Sequence, residues 1–234
     1  MSEQLPEVQP EAPAQSTPTG AMLRTLGLVS AICGLAIVSA YQGTLSAVKA
    51  NKQISLERAV FKVIPKAKSI AEFFALPSGA IEVSKGGDAP AGAIRFYAAY
   101  DEDGKLAGVA AEGAATGYAD VVRIMFGYVP DCECVIGFGL VSSRETPGIG
   151  DKILVDKAFL ANFEALDVKL NADKTALANE VKVVKNGTKT NPWQIDAIAG
   201  ATITSRAVGK GINDTSKVLL PKLVPNLDKI RSKP

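Results

Sequence analysis

Histidine is missing altogether from this chain of 234 residues. Its absence excludes a Ser-His-Asp triad, a histidine general base and any histidine-bound metal or haem. Cysteine is scarce, with three residues in all. Cys33 sits within an apolar run, and Cys132 and Cys134 form a Cys-x-Cys in a turn. One such pair cannot assemble a four-cysteine iron-sulfur or zinc site within the chain. A bridge between residues two apart is strained, so the pair reads as small side chains at the start of a strand. A redox-active pair and a share in an intersubunit centre stay open as alternatives. An excess of either charge is also lacking: the formal net charge is +2, and no basic stripe points to nucleic acid.

What the chain does have is Asp196-Ala-Ile-Ala-Gly-Ala-Thr202-Ile-Thr-Ser205, a hydroxyl on a small-residue turn before a helical pattern. Val208, Ile212, Thr215 and Leu219 recur at helical spacing, with Lys210, Asn213, Asp214 and Lys217 between them, so one face is buried. The pattern predicts a helix starting near Thr204 or Ser205. Its first amides lack partners inside the helix and carry partial positive charge, which suits an anion. Gly200 and Ala201 clear the bulk that would hold a phosphate away from the backbone. The segment therefore reads as a phosphate cradle with Thr202 as hydrogen-bond donor or point of covalent attachment. The competing reading is an ordinary turn with Ser205 as N-cap. Further upstream, Pro147 and Gly148 in Arg144-Glu-Thr-Pro-Gly-Ile-Gly-Asp-Lys152 make a turn that brings Glu145 and Thr146 to its rim.

The other conspicuous feature is an uncharged run from Leu26 to Ala40, extended backwards by Leu23 and Met22 and flanked by Arg24 and Tyr41. Together these approach the ~20 residues that cross a bilayer. Val38-Ser-Ala40 resembles a signal-peptide cleavage site, but the long acidic lead containing Glu3, Glu7 and Glu11 favours an anchor in the lipid bilayer. Lys49, Lys52, Arg58 and Lys62 after the run place the remainder of the chain in the cytoplasm by the positive-inside rule.

The expected organisation is a disordered tail over 1–20, an anchor over 21–43, a linker helix over 44–76, a folded domain over 77–226 and a tail over 227–234. Within the domain, 78–92 reads as loop. Ile94 to Tyr100 with Lys105 to Ala111, and Val121 to Tyr128 with Val135 to Ser142, read as strand pairs. Val155, Phe159, Phe163 and Leu166 mark a helix, and Val181 to Val184 a strand. Strand runs with helices at their ends favour an α+β fold.

Asp196, Gly200, Ala201 and Thr202 match the Asp-x-x-(Ser/Thr)-Gly-Ala-Thr signature of FMN-binding domains, with Ala199 departing from it. The segment from Glu145 to Gly150 resembles the Glu-Thr-Pro-Gly-Leu-Gly of the G subunit of the Rnf electron-transport complex. A sister of that protein is the C subunit of the sodium-pumping quinone reductase. The resemblance runs from about Gly20 to Leu220. It implies a twisted, mainly antiparallel sheet with flanking helices behind one transmembrane helix. It also implies FMN bound covalently through a phosphoester on Thr202, placed there from FAD by a flavin transferase.

Gly200, Ala201, Thr204, Ser205, Asp196, Glu145 and Thr146 are the implied surroundings, with Trp193, Leu140, Tyr118 and Met125 as candidates for the flavin slot. Asp196 is expected to brace the turn or to be read by the transferase. The implied role is electron relay between reduced ferredoxin and NAD, with the other complex subunits as partners and no catalytic or metal-ligating residue of its own. Histidine is no loss there, because the chemistry resides in the cofactor. The family places the domain on the periplasmic side of the cytoplasmic membrane, against the charge rule. A C-type quinone reductase subunit and an anchored, flavin-free scaffold are the other readings.

Overall fold

The computed structural model describes residues 19–84 and 89–233, so the expected tail lies almost wholly outside the described residues. The chain divides into two compact units between Asn51 and Lys52. In the first, helix α1 (Thr19–Val63) begins, and its stretch Thr19–Val48 is 30 residues long with none of its apolar window buried. At about 1.5 Å per residue such a stretch reaches roughly 45 Å, against a hydrocarbon core of roughly 30 Å. Leu26, Ile32, Leu35 and Ile37 all face outwards. This is a helix long and apolar enough to cross a membrane.

The second unit is built on a seven-stranded antiparallel sheet. Its strands are β1 (Ser69–Ala75), β2 (Ile81–Val83), β3 (Ile94–Tyr100), β4 (Leu106–Thr116), β5 (Val121–Val129), β6 (Cys134–Ser142) and β7 (Leu166–Asp167). They lie in the order β2-β1-β3-β4-β5-β6-β7. Period-two alternation makes the sheet two-faced. Phe96, Ala98 and Tyr100 of β3 join Val109 and Ala111 of β4 and Ile124 and Phe126 of β5 in the main core. Tyr97 and Ala99 point the other way and pack with Ala110, Met125 and the end of α1, through Leu56, Val60, Val63 and Ile64.

Helix α3 (Thr202–Leu223) covers the main face through Ala207, Val208, Ile212, Leu219 and Leu220. A small parallel pair, β8 (Lys182–Val184) and β9 (Gln194–Asp196), carries the chain into it. The architecture is α+β, with helices flanking an antiparallel sheet.

Two backbone crossings set how closely the helices approach. A Cβ on Gly113 of β4 would lie 2.6 Å from the carbonyl oxygen of Gly211 in α3. A Cβ on Gly127 of β5 would lie 2.6 Å from the carbonyl oxygen of Val63. Thr215 Oγ1 donates to the Glu112 carbonyl at 3.2 Å and fixes the first crossing along the strand.

Several expectations need correction. The linker helix does not run to residue 76: it ends at Val63, before Pro65, and Ser69–Ala75 is a central strand. Its Ile-Ala-Glu-Phe-Phe run shows no clean alternation, and the strand is held by pairing with β2 on one side and β3 on the other. The supposed loop over 78–92 contains β2, which pairs Ile81 with Ala75 and Val83 with Phe73. The helix expected from Val155 to Leu166 shrinks to α2 (Lys157–Ala161), capped by Asp156, and Leu166 starts β7. Phe163 packs on Phe138 from beyond the end of the helix, with ring centroids 4.6 Å apart, and Phe159 packs on both from within α2. Residues expected as a C-terminal tail also pack: Ile230 is fully buried, and Lys105 bridges to Ser232.

Cys132 and Cys134 are joined as a disulfide instead of standing as separate small side chains. Between them Glu133 adopts a left-handed φ of 51°, one of two non-glycine residues to do so among the described residues. Closing so short a loop restricts the unfolded chain by only about 1.5 kcal/mol. A left-handed residue costs about 1–2 kcal/mol. The two cancel, so this disulfide does not staple the fold.

Gly113→Val is expected to push α3 off β4, because the clash is with backbone that cannot swing away. A loss of about 1–3 kcal/mol or more is the scale for overpacking. Denaturant unfolding of the detergent-solubilised chain measures it, and a wild-type midpoint would show that the crossing has slack.

Candidate functional site

The turn before α3 is locked from inside. The Ala201 amide donates to the Ile198 carbonyl at 3.1 Å, and Gly200 takes a left-handed φ of 84°. Ser205 is fully buried: its hydroxyl donates to the Ala201 carbonyl at 2.9 Å and accepts from the Ile198 amide at 3.1 Å. It clamps the turn to the first helical turn instead of acting as N-cap, and the helix starts at Thr202, ahead of the expected position. The N-cap is Ala201, which has no side-chain acceptor to offer. The amides at the start of α3 therefore keep their donor capacity for another acceptor. Thr202, half-buried, donates its hydroxyl to the Ile198 carbonyl at 3.3 Å.

Opposite stands Glu145. Its Oε2 accepts the Thr204 hydroxyl at 2.5 Å, and its Oε1 accepts the Ala119 amide at 2.9 Å. One carboxylate thus joins three segments: the β4–β5 turn, the Glu-Thr-Pro-Gly turn and the start of α3. Desolvation raises the Glu145 pKa, but the Thr204 hydroxyl and the amides of Ala119, Asp120 and Tyr118 outweigh it and hold the carboxyl below its usual range.

Two glycines give this carboxylate its room. A Cβ on Gly117 would lie 2.5 Å from Glu145 Oε1, and one on Gly150 would collide with the Glu145 side chain itself. The Glu-Thr-Pro-Gly turn closes through the Gly150 amide and the Thr146 carbonyl at 2.9 Å.

Between these segments lies a cavity of about 360 Å³, lined by Tyr118, Glu145, Thr146, Ile149, Gly150 and the five residues from Gly200 to Thr204. Its size lies within the ~300–1,000 Å³ of small-molecule sites. Around it three large apolar side chains stay in water: Tyr118 at 75%, Ile149 at 49% and Ile203 at 46% exposure. A phosphate at the unpartnered amides and a flat apolar body against these side chains fit the residues present.

The structure thus brings Thr202, Gly200, Ala201, Thr204, Glu145, Thr146 and Tyr118 to one cavity, with Ser205 directly beneath. It does not bring Trp193, Leu140 or Met125 there. Leu140 is half-buried against the main core, and Met125 lies under α1 on the opposite face. Trp193 is half-buried and is not part of the lining. Asp196 braces a turn, but a neighbouring one: its Oδ1 accepts the amides of Thr188 at 3.1 Å and Lys189 at 3.0 Å.

Ile149, Gly150 and Ile203 escaped the sequence reading. Ile149 and Gly150 lie within the Glu145–Gly150 segment and Ile203 follows Thr202, but only the folded turns show that they line the cavity. Buried Asn162 escaped it too; its Oδ1 accepts the Asp196 amide at 3.1 Å and Lys189 Nζ at 3.1 Å, tying β9 to α2. An asparagine among phenylalanines was the available signal.

Residues 117–217 match the FMN-binding domain family, a span that runs from the glycine beside Glu145 to the far half of α3. The G subunit of an ion-translocating oxidoreductase complex from Shewanella piezotolerans is 32% identical over 188 residues, which cover 78% of this chain and 80% of that one. The chain belongs to the family of G subunits of ion-translocating oxidoreductase complexes. Another member, the G subunit of a proton-translocating ferredoxin:NAD(+) oxidoreductase complex of Clostridium ljungdahlii, is 29% identical over 194 residues, 83% of this chain and 88% of that one. Among solved structures, NqrC of Shewanella oneidensis shares the fold with a TM-score of 0.59 at 20% identity, covering 77% of this chain and 98% of that one.

In this member of the G-subunit family, Thr204→Val is expected to cost about 1.5–3 kcal/mol, the range for a hydrogen bond to a charged group. Because folding lowers the Glu145 pKa, its stabilisation is complete above the ordinary value of 4.5 and is lost as pH falls through the lower folded value. Removing the Thr204 hydroxyl moves that loss to higher pH. Denaturant midpoints measured across the acid range check both. An unshifted acid limb would mean that Thr204 does not hold the carboxylate.

Proposed function

We propose that this chain is the membrane-anchored electron-transfer subunit of an Rnf-type ferredoxin:NAD ion-translocating complex, carrying FMN as a phosphoester on Thr202. The observation that carries the reading is a half-buried hydroxyl at the uncapped start of a 22-residue helix, opening into a cavity with an apolar mouth. Bound there, FMN would supply reversible one- and two-electron chemistry.

The chain's own residues supply placement. Ser205 fixes the Ile198–Ala201 turn so that the Thr202 hydroxyl stands beside the helix amides, where a phosphodiester keeps one negative charge against the positive end of the helix dipole. Gly200 supplies the left-handed φ of 84° that this turn requires. Tyr118, Ile149 and Ile203 offer apolar surface to the ring system, and Thr146 a hydroxyl at the rim. A covalent tether makes the cofactor non-exchangeable, so electron transfer to neighbouring subunits is independent of a binding equilibrium. A flavin transferase is the maturation partner.

Thr19–Val48 would span the cytoplasmic membrane once, with the sheet unit on the periplasmic side. Basic residues after the span argue the opposite, but the positive-inside rule weighs short loops, and large domains translocate largely regardless of charge.

Co-expressed with a flavin transferase, the protein is expected to keep flavin fluorescence on a denaturing gel, and Thr202→Ala to lose all of it. Mass spectrometry of the tryptic peptide from Thr190 to Arg206 should show FMN less one water. An unmodified peptide from coloured protein would overturn the linkage. Separately, protease added outside intact spheroplasts is expected to digest the sheet unit, whereas digestion only after lysis would put that unit in the cytoplasm.

A further inference from the structure

The Cys132–Cys134 disulfide takes no part in the flavin site. It occupies the β5–β6 turn, whereas the flavin cavity borders the β4–β5 turn at the other end of β5. Nine residues of extended chain separate the two turns, roughly 30 Å at about 3.4 Å per residue, so the disulfide cannot react with a group held in that cavity. The bond encloses one residue, Glu133, whose φ is 51° and whose amide donates to the Pro130 carbonyl at 3.2 Å in the same turn. A bond closing so small a loop restrains the unfolded chain least, and the left-handed residue offsets even that. Stabilisation therefore does not account for it.

Its exposure is asymmetric. Cys132 is exposed, while Cys134 is buried at 4% as the first residue of β6, paired with Val129 on one side and Asp167 on the other. Beyond it, the Glu133 carbonyl accepts the Val168 amide at 3.2 Å. One sulfur is thus open to attack, and the other is set in the sheet.

We propose that Cys132–Cys134 is a thiol–disulfide exchange site that accepts two electrons from an external dithiol. A thiolate of the dithiol attacks Cys132 Sγ, forming a mixed disulfide and releasing Cys134 as a thiolate that takes up a proton. The second thiol of the reagent, as its thiolate, then attacks its partner sulfur in the mixed disulfide and expels Cys132, which is protonated in turn. The reagent is oxidised to its disulfide, and Cys132 and Cys134 are left as two thiols. Exposed and strained disulfides are the exchangeable ones.

The test uses the full chain in detergent, folded, equilibrated with reduced and oxidised dithiothreitol, followed by alkylation and peptide mass analysis. The Cys132–Cys134 peptide is expected to be reduced without denaturant. With oxidised glutathione, Cys134→Ser is expected to form a mixed disulfide at Cys132, releasing one reduced glutathione, and Cys132→Ser to form little at Cys134. A bond reduced only after unfolding, two thiols in aerobically purified protein, or equal trapping at both cysteines each overturns the proposal. None of these outcomes depends on flavin being present.

Discussion

A single carboxylate organises the cavity. Glu145 accepts a hydroxyl from α3 and an amide from the β4–β5 turn while sitting in the turn that follows β6. The three segments are far apart in sequence, and nothing else among the described residues crosses all of them. The salt bridge from Arg144 to Asp120, at 3.7 Å and mostly exposed, reinforces the same junction but is worth little by itself. From the carboxylate follow three residue choices that would otherwise look unrelated. Gly117 and Gly150 must lack side chains to leave it space, and Thr204 must carry a hydroxyl on its buried side. The Glu-Thr-Pro-Gly turn and the Gly-Ala-Thr turn are thus two halves of one device.

The same device explains a division of labour among neighbouring hydroxyls. Ser205 is turned inwards and spent on the backbone of its own turn, and Thr204 is spent on Glu145. Thr202 makes only a long local contact with the Ile198 carbonyl and lines the cavity. Three hydroxyls within four residues therefore differ in availability by how their helix position points them, and the first in the chain is the one left accessible. Alternation along the helix, with its 3.6-residue repeat, forces this: 204 and 205 face the sheet when Val208 and Ile212 do.

Much of this was legible beforehand where chemistry is local. The short apolar runs of β3 to β6, bounded by turn residues, and the apolar stripe of α3 state their own structure, the strands burying both faces and the helix one. The strand Ser69–Ala75 was not legible, since it follows a helical pattern without a glycine and has only Pro65 to mark the change. The short α2 was misread because Phe159, Phe163 and Leu166 have helical spacing, although the last two are buried from a loop and a strand. In the site, motif residues were readable as donors and turn formers. Trp193 and Leu140 were drawn in by nearness in sequence and by apolar character, which do not state direction. Ile149 and Ile203 could be assigned only once the clasp had put their turns face to face.

Docking α3 so close to β4 has a consequence for the cavity as well as for the core. Helix position along the strand is set by backbone against backbone at Gly113 and Gly211, with Thr215 reading the Glu112 carbonyl. Such contacts lack the rotamer freedom through which side chains absorb strain, so the helix is seated with little play. Its N-terminus, two to three turns away, inherits that precision. A hydroxyl that lines a cavity beside apolar side chains from other segments is best carried by an element whose other end cannot slide. The glycine crossing therefore belongs to the site in function, though it lies outside the cavity in space.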